Sequence, residues 1–145
     1  MTDPLEGYVA GPAAGVSPDD PGLKASSRST GGALSVFETS VGTGPPLHVH
    51  DHEDEALYVL TGELSVRCGD ATFNAPAGSF VFLPRGRAHR FSSTGGPVRL
   101  LLVAVPGGIE AYFREISAAV GDTEVHRVGE RYGIRVVPDP SAGQP

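Results

Sequence analysis

The chain has 145 residues, a single cysteine and a formal net charge of −6. That length suits one domain with a self-supporting apolar core, because chains that need staples are typically under ~40 residues. No Lys/Arg-rich stretch or helix is present, which argues against nucleic acid as a partner, since neutralising phosphates requires a clustered basic surface.

Residues 1–22 hold four prolines and no sustained periodicity, so an irregular arm is expected, with one short strand near Tyr8-Val9. From Leu23 the pattern changes to short β-type segments separated by turns. Segment 23–29 meets Gly31-Gly32 and is followed by 33–41 (ALSVFETSV), which reads as a hairpin. Residues 42–47 (GTGPPL) form a loop leading into His48. Segment 55–60 turns at Thr61-Gly62 into 63–68, where Leu64, Val66 and Cys68 alternate with Ser65 and Arg67, the period of a half-buried strand. Gly69-Asp70 suits a two-residue hairpin turn, because glycine accepts the positive φ that such turns require. Segments 71–74, 79–83, 88–93 and 97–105 complete the strands, with Pro84 and Gly86 placed as in a type I turn. Strands recurring this regularly predict an all-β sandwich or barrel over 23–106. Only the end is helical. Ile109, Tyr112, Phe113, Ile116 and Val120 share one face of a helix over 108–120, and a shorter helix over 123–131 precedes Gly133. The helical segment is taken as 107–133 and the tail as 134–145.

Cys68 has no intrachain partner, so the fold does not depend on an oxidising compartment. The N-terminus lacks the positive start and apolar stretch of a signal peptide. No run approaches the ~20 apolar residues that span a bilayer. A soluble, cytoplasmic protein without a membrane partner is expected.

Four of the five histidines fall in two short segments, at 48, 50, 52 and 89. His48 and His50 are two apart, so on an extended strand both imidazoles leave the same face. Glu55 is an odd distance from His50, and the polar stretch Asp51–Asp54 supplies the turn that returns it to the interior. Three imidazoles and a carboxylate make a mixed N/O site suited to one divalent first-row metal: Fe, Ni, Co, Mn or Zn. Such a site, with positions left open, differs from a closed structural one. Leu57, Val59 and Phe91 share faces with Glu55 and His89 and are candidate substrate contacts, although ordinary core packing requires the same residue types. Tyr112 and Phe113 either cap the barrel mouth or simply pack on it. His52 and His126 are read as surface residues, and Arg85, Arg87 and Arg90 as a solvated turn.

The spacing Gly42-x5-His48-x-His50-x4-Glu55-x6-Gly62 resembles the first cupin motif at every fixed position. Gly78-x5-Pro84-x-Gly86-x2-His89 resembles the second, with Ser93 where that motif ends in asparagine. The resemblance implies a cupin-type antiparallel β-barrel, or jelly roll, with His48, His50, Glu55 and His89 as metal ligands. Within the cupins, GPPLHVHDHEDEALYVLTGEL, FVFLPRGRAHRF and the GIEAYFREI helix are most similar to bacterial quercetinase-like proteins. That similarity implies a metal-dependent dioxygenase acting on a small aromatic, flavonol-like or polyketide-like enol, with Glu55 as ligand and general base. Redox-neutral isomerisation or cyclisation, and metal-dependent binding without turnover, are the other readings, because one fold hosts unrelated chemistries. Many cupins are dimers, and a homodimer is expected here, although the sequence locates no interface.

Overall fold

The computed structural model describes residues 5–140. Residues 1–4 of the expected arm and 141–145 of the expected tail lie outside the described residues. The strands are β1 (Leu23–Ala25), β2 (Ser35–Val41), β3 (His48–His50), β4 (Asp54–Thr61), β5 (Glu63–Cys68), β6 (Ala71–Pro76), β7 (Phe80–Leu83), β8 (His89–Ser93), β9 (Val98–Val105) and β10 (Ile134–Val136). The helices are α1 (Ser27–Thr30), α2 (Ile109–Ala118) and α3 (Asp122–Tyr132). Two five-stranded antiparallel sheets face each other, ordered β1-β2-β9-β4-β7 and β10-β3-β8-β5-β6.

The alternation along the strands sets which side chains meet between the sheets. Leu57, Val59, Leu64, Val66, Val81, Leu83, Val98 and Leu100 point inward and are almost wholly buried. Each such aliphatic side chain contributes about 1.5–3 kcal/mol on burial. Gly62 closes the β4–β5 turn at φ 84°, and a Cβ there would sit 2.5 Å from the Pro97 carbonyl oxygen. Glycine therefore serves both the conformation and the close approach.

Three local expectations change. Ser27–Thr30 is a helical turn, not the end of a hairpin strand. Ser26 caps it through a reciprocal capping box with Ser29, and Gly31 ends it in the left-handed region. Short serine and threonine side chains satisfy terminal amides more readily than they support a strand. Tyr8-Val9 forms no strand; the Tyr8 hydroxyl instead donates to the Lys24 carbonyl at 2.9 Å. Ile134–Val136, expected to open the tail, forms β10 and pairs with β3 in the register Ile134↔His50 and Val136↔His48. The segment beyond β10 is held by Asp139, which bridges Arg67 at 2.6 Å and Arg90 at 2.8 Å.

The helices lie over the end of the barrel at which β3 and β8 begin to pair. The Glu110 carboxylate, in the first turn of α2, accepts from the Ser27 amide at 2.7 Å and the Ser35 hydroxyl at 2.5 Å. Burial raises the pKa of Glu110, but these donors outweigh it and hold the carboxyl below its usual range. Phe113 meets Phe37 edge-on with ring centroids 5.2 Å apart, a favoured aromatic geometry. α2 ends at Ala118, so Val120 does not join its apolar face and is exposed. α3 ends at Gly133 in the left-handed conformation, whose amide bonds the carbonyls of Gly129 and Glu130.

Candidate metal centre

β3 carries His48 and His50, β4 begins just before Glu55, and β8 begins at His89. His48 is directly opposite His89 in the β3–β8 register, so two imidazoles meet on one inner face. All four side chains are buried, and one ligand atom from each lies within 4.8 Å of every other. His50 Nε2 lies 2.5 Å from Glu55 Oε1, and His89 Nε2 lies 3.6 Å from the same oxygen.

The remaining ring nitrogens decide which atoms point inward. His48 Nδ1 donates to the Pro46 carbonyl at 2.7 Å, and His50 Nδ1 donates to Glu53 Oε1 at 2.5 Å. In both rings Nε2 is thereby left facing the cluster. Fixing a tautomer and ring orientation through the second nitrogen is characteristic of histidine metal ligands. The sequence pattern places Glu53 only in the polar turn, and the structure adds its role behind His50. Its place three residues after His50 was the available signal.

Charges in the cluster are strongly coupled. Burial lowers the pKa of His48 to about 4, helped by His89 and opposed by the Pro46 hydrogen bond. Burial also works against a charged His50, but Glu53 and Glu55 outweigh it and raise its pKa to about 9. Burial pushes Glu55 up, while His50 and His89 more than reverse this and bring it to about 2. In the metal-free cluster the two carboxylates that flank His50 thus favour its protonated form.

The residues fit a metal ion. Both ring nitrogens of His89 are buried without a hydrogen-bond partner, and Glu55 Oε1 receives no well-aligned hydrogen bond despite its closeness to His50. Buried polar atoms left this way are costly unless something satisfies them. Three imidazoles and one carboxylate around a common point suit a divalent first-row cation, which would replace the His50 proton.

The cluster opens onto a cavity of about 560 Å³ lined by His48, His50, Glu55, Phe37, Phe91, Leu102, Tyr112, Phe113, Ile116 and Ile134. Phe91 is thus on the cavity wall. Leu57 and Val59 are not among its lining residues, and both belong to the closed core. Their parity matches Glu55, but each step along β4 carries them further between the sheets, where Leu64, Val66 and Leu100 fill the space. Tyr112 and Phe113 both pack on the barrel and line the cavity. Burial raises the Tyr112 pKa, and the Glu55 charge adds to it, so the side chain stays a neutral phenol. His126 of α3 lines the cavity as well, although its sequence position suggested no role. Of the arginines, Arg85 pairs with Asp54 and Arg90 with Asp139, and neither reaches the cavity.

A cupin-domain family model matches residues 35–104, the stretch that holds all four cluster residues. A solved structure of a putative ethanolamine utilization protein Q from Salmonella typhimurium is 30% identical, with a TM-score of 0.51, and covers 59% of this chain and 68% of its own. The chain belongs to the cupin superfamily. This cupin is also similar to an uncharacterized protein of Streptomyces coelicolor, 28% identical over 51% of this chain and 70% of that protein. A solved structure from Bacillus halodurans, 24% identical with a TM-score of 0.50, covers 53% of this chain and 65% of its own and shares the fold. No helix among the described residues is long and apolar enough to cross a membrane.

Proposed function

We propose that this cupin is a metal-dependent oxygenase for a small aromatic, flavonol-like or polyketide-like enol. The observation that carries the reading is the union of a buried three-histidine, one-glutamate cluster with an aromatic-walled cavity of about 560 Å³. A pocket of that size, mostly apolar with a few convergent polar groups, is what a drug-sized ligand requires.

His48, His50, Glu55 and His89 would hold the ion. A divalent transition metal bound there supplies Lewis acidity and, for redox-active ions, electrons for dioxygen chemistry. The chain's own residues do the remainder. Phe37, Phe91 and Phe113 offer ring faces and edges to a planar substrate and keep water from the reacting oxygen. Glu55 faces the cavity, and its carboxylate is the group placed to accept the proton released as a substrate hydroxyl becomes an enolate.

The test is oxygen uptake after loading the protein with Fe, Ni, Co or Mn, using quercetin and a simple enolic diketone as probes. Oxygen consumption with a cleaved product supports the proposal. Turnover without oxygen would replace it with isomerase or cyclase chemistry, and saturable binding without product would leave a binding protein.

A further inference from the structure

The cavity beside the metal cluster is walled mostly by apolar groups, so its few polar side chains decide which ligand it accepts. Outside the cluster, most of them are already satisfied. Asp20 accepts from the Gly22 amide at 3.1 Å, and Glu38 pairs with Lys24 at 3.9 Å and with Arg99 at 3.6 Å. The Thr39 hydroxyl reaches the Ser40 carbonyl at 3.5 Å, and His126 is exposed and open to water. Tyr112 differs from all of these. It lines the cavity and is half-buried, yet its hydroxyl makes no hydrogen bond with any described residue. A tyrosine hydroxyl taken from water usually finds a partner. Tyr8 donates to the Lys24 carbonyl and Tyr132 is bonded to Glu115, which makes the bare Tyr112 hydroxyl the exception among the chain's covered phenols. Its ring is held in place, with centroids 5.5 Å from Phe113 and 5.8 Å from Tyr132. The hydroxyl also lies within electrostatic reach of Glu55, at the metal cluster.

We propose that Tyr112 donates a hydrogen bond to the keto oxygen of an enol-ketone substrate, and so selects for ligands whose enolate charge is shared between two oxygens. This deepens the functional reading above and rests on it. When such a substrate gives its hydroxyl proton to Glu55, the negative charge spreads over the former hydroxyl oxygen and the carbonyl oxygen conjugated with it. The first oxygen stays beside Glu55, so the second needs a donor elsewhere on the wall. The cluster has none to spare, because the Nδ1 protons of His48 and His50 are spent on Pro46 and Glu53. Tyr112 offers the uncommitted one. A hydrogen bond to an oxygen that is gaining charge is roughly twice as strong as one between neutral groups. A donor already fixed by its ring contacts needs no rearrangement as that charge develops. Tyr112 keeps its own proton, so the transfer from substrate to Glu55 is the only one. α2 lies outside residues 35–104, so this selectivity belongs to the helical cover of this chain rather than to the shared barrel.

Fluorescence titration of the zinc-loaded full chain with two naphthols tests this without turnover. One carries an acetyl group beside its hydroxyl and so has the keto oxygen; the other carries an ethyl group there and lacks it. Tyr112→Phe should weaken binding of the acetyl compound by at least about 10-fold, the effect of losing a hydrogen bond to a charged acceptor. Binding of the ethyl compound should stay as it was. Phenylalanine keeps the ring contacts, so circular dichroism and zinc content should not change. Tyr132→Phe removes a neighbouring hydroxyl that is bonded to Glu115 and should preserve the ratio of the two affinities. Equal weakening of both probes by Tyr112→Phe, or of neither, would overturn the assignment, as would the same selective loss in Tyr132→Phe. A wild type that binds neither naphthol would overturn the enol reading and the assignment together. Selective loss of the acetyl compound supports the assignment even where oxygen uptake is absent, a result that would count against the oxygenase reading alone.

Discussion

The two ends of the barrel are built from the same strands but solve opposite problems. At the end around Leu57, Val59, Leu64 and Val66, aliphatic side chains interlock and leave no room for solvent. At the other end, the same inward positions on β3, β4 and β8 carry His48, His50, Glu55 and His89, and the space above them is a cavity. The polar end forgoes hydrophobic stabilisation and leaves buried nitrogen and oxygen atoms unsatisfied. The closed end and the anchored helices supply the stability that lets such a site persist. Stability and chemistry are thus divided along β4 itself, between Glu55 and Leu57.

That division is broken most severely at the closed end. Leu57→Ala should destabilise the protein by about 2–5 kcal/mol, because the rigid surroundings cannot collapse onto the gap. Denaturant unfolding measures this, and metal bound per folded chain should not change. His89→Ala should do the reverse, weakening metal binding by more than ~100-fold, beyond the ~10–100-fold typical of losing a partner behind a ligand. Elemental analysis after dialysis checks it, with circular dichroism showing an intact barrel. Unchanged metal stoichiometry would remove His89 from the ligand set.

How far these two ends were legible in the sequence follows from the range of each signal. The two-residue spacing of His48 and His50 and the hairpin turns are local, so they marked the cluster and most strands. Leu57 and Val59 show where local parity stops: it assigns a face but not a depth along the barrel. β10 was missed because Ile134–Val136 has little pattern of its own and is defined by its register with β3, more than eighty residues earlier. The cavity depends on Tyr112 and Phe113 meeting Phe37, a tertiary contact that helix periodicity permits but does not specify. The Ser26–Ser29 capping box was local and available, yet it was outweighed by the neighbouring strand pattern.

Glu53 offers a finer way to sharpen the contrast, since it supports the polar end without joining it. Glu53→Ala should weaken metal binding by about 10–100-fold by freeing the His50 ring. Glu53→Gln should restore much of this, because an amide oxygen still accepts from Nδ1. Titration with a competing chelator distinguishes the two variants. Equal affinities for both would mean that the charge, and not the orienting hydrogen bond, is what Glu53 contributes.

The pH dependence of the metal-free protein tests the same cluster, and its sign follows from the shifts. His50 has its pKa raised from 6.5 to about 9, so its contribution is complete below 6.5 and is lost as pH rises through 9. Glu55 is lowered from 4.5 to about 2, so its contribution holds above 4.5 and disappears as pH falls through 2. His48 runs against both: lowered from 6.5 to about 4, it binds a proton more readily unfolded, and so costs stability as pH falls from 6.5 to 4. The cluster's own contribution therefore falls as pH drops from 6.5 towards 4 and falls again as pH rises from 6.5 through 9. A bound cation takes the place of the His50 proton, so metal loading should flatten the alkaline decline while leaving the closed end untouched. Urea midpoints measured across this range with and without metal test it, and an alkaline decline of equal steepness in both would show that His50 does not carry that proton.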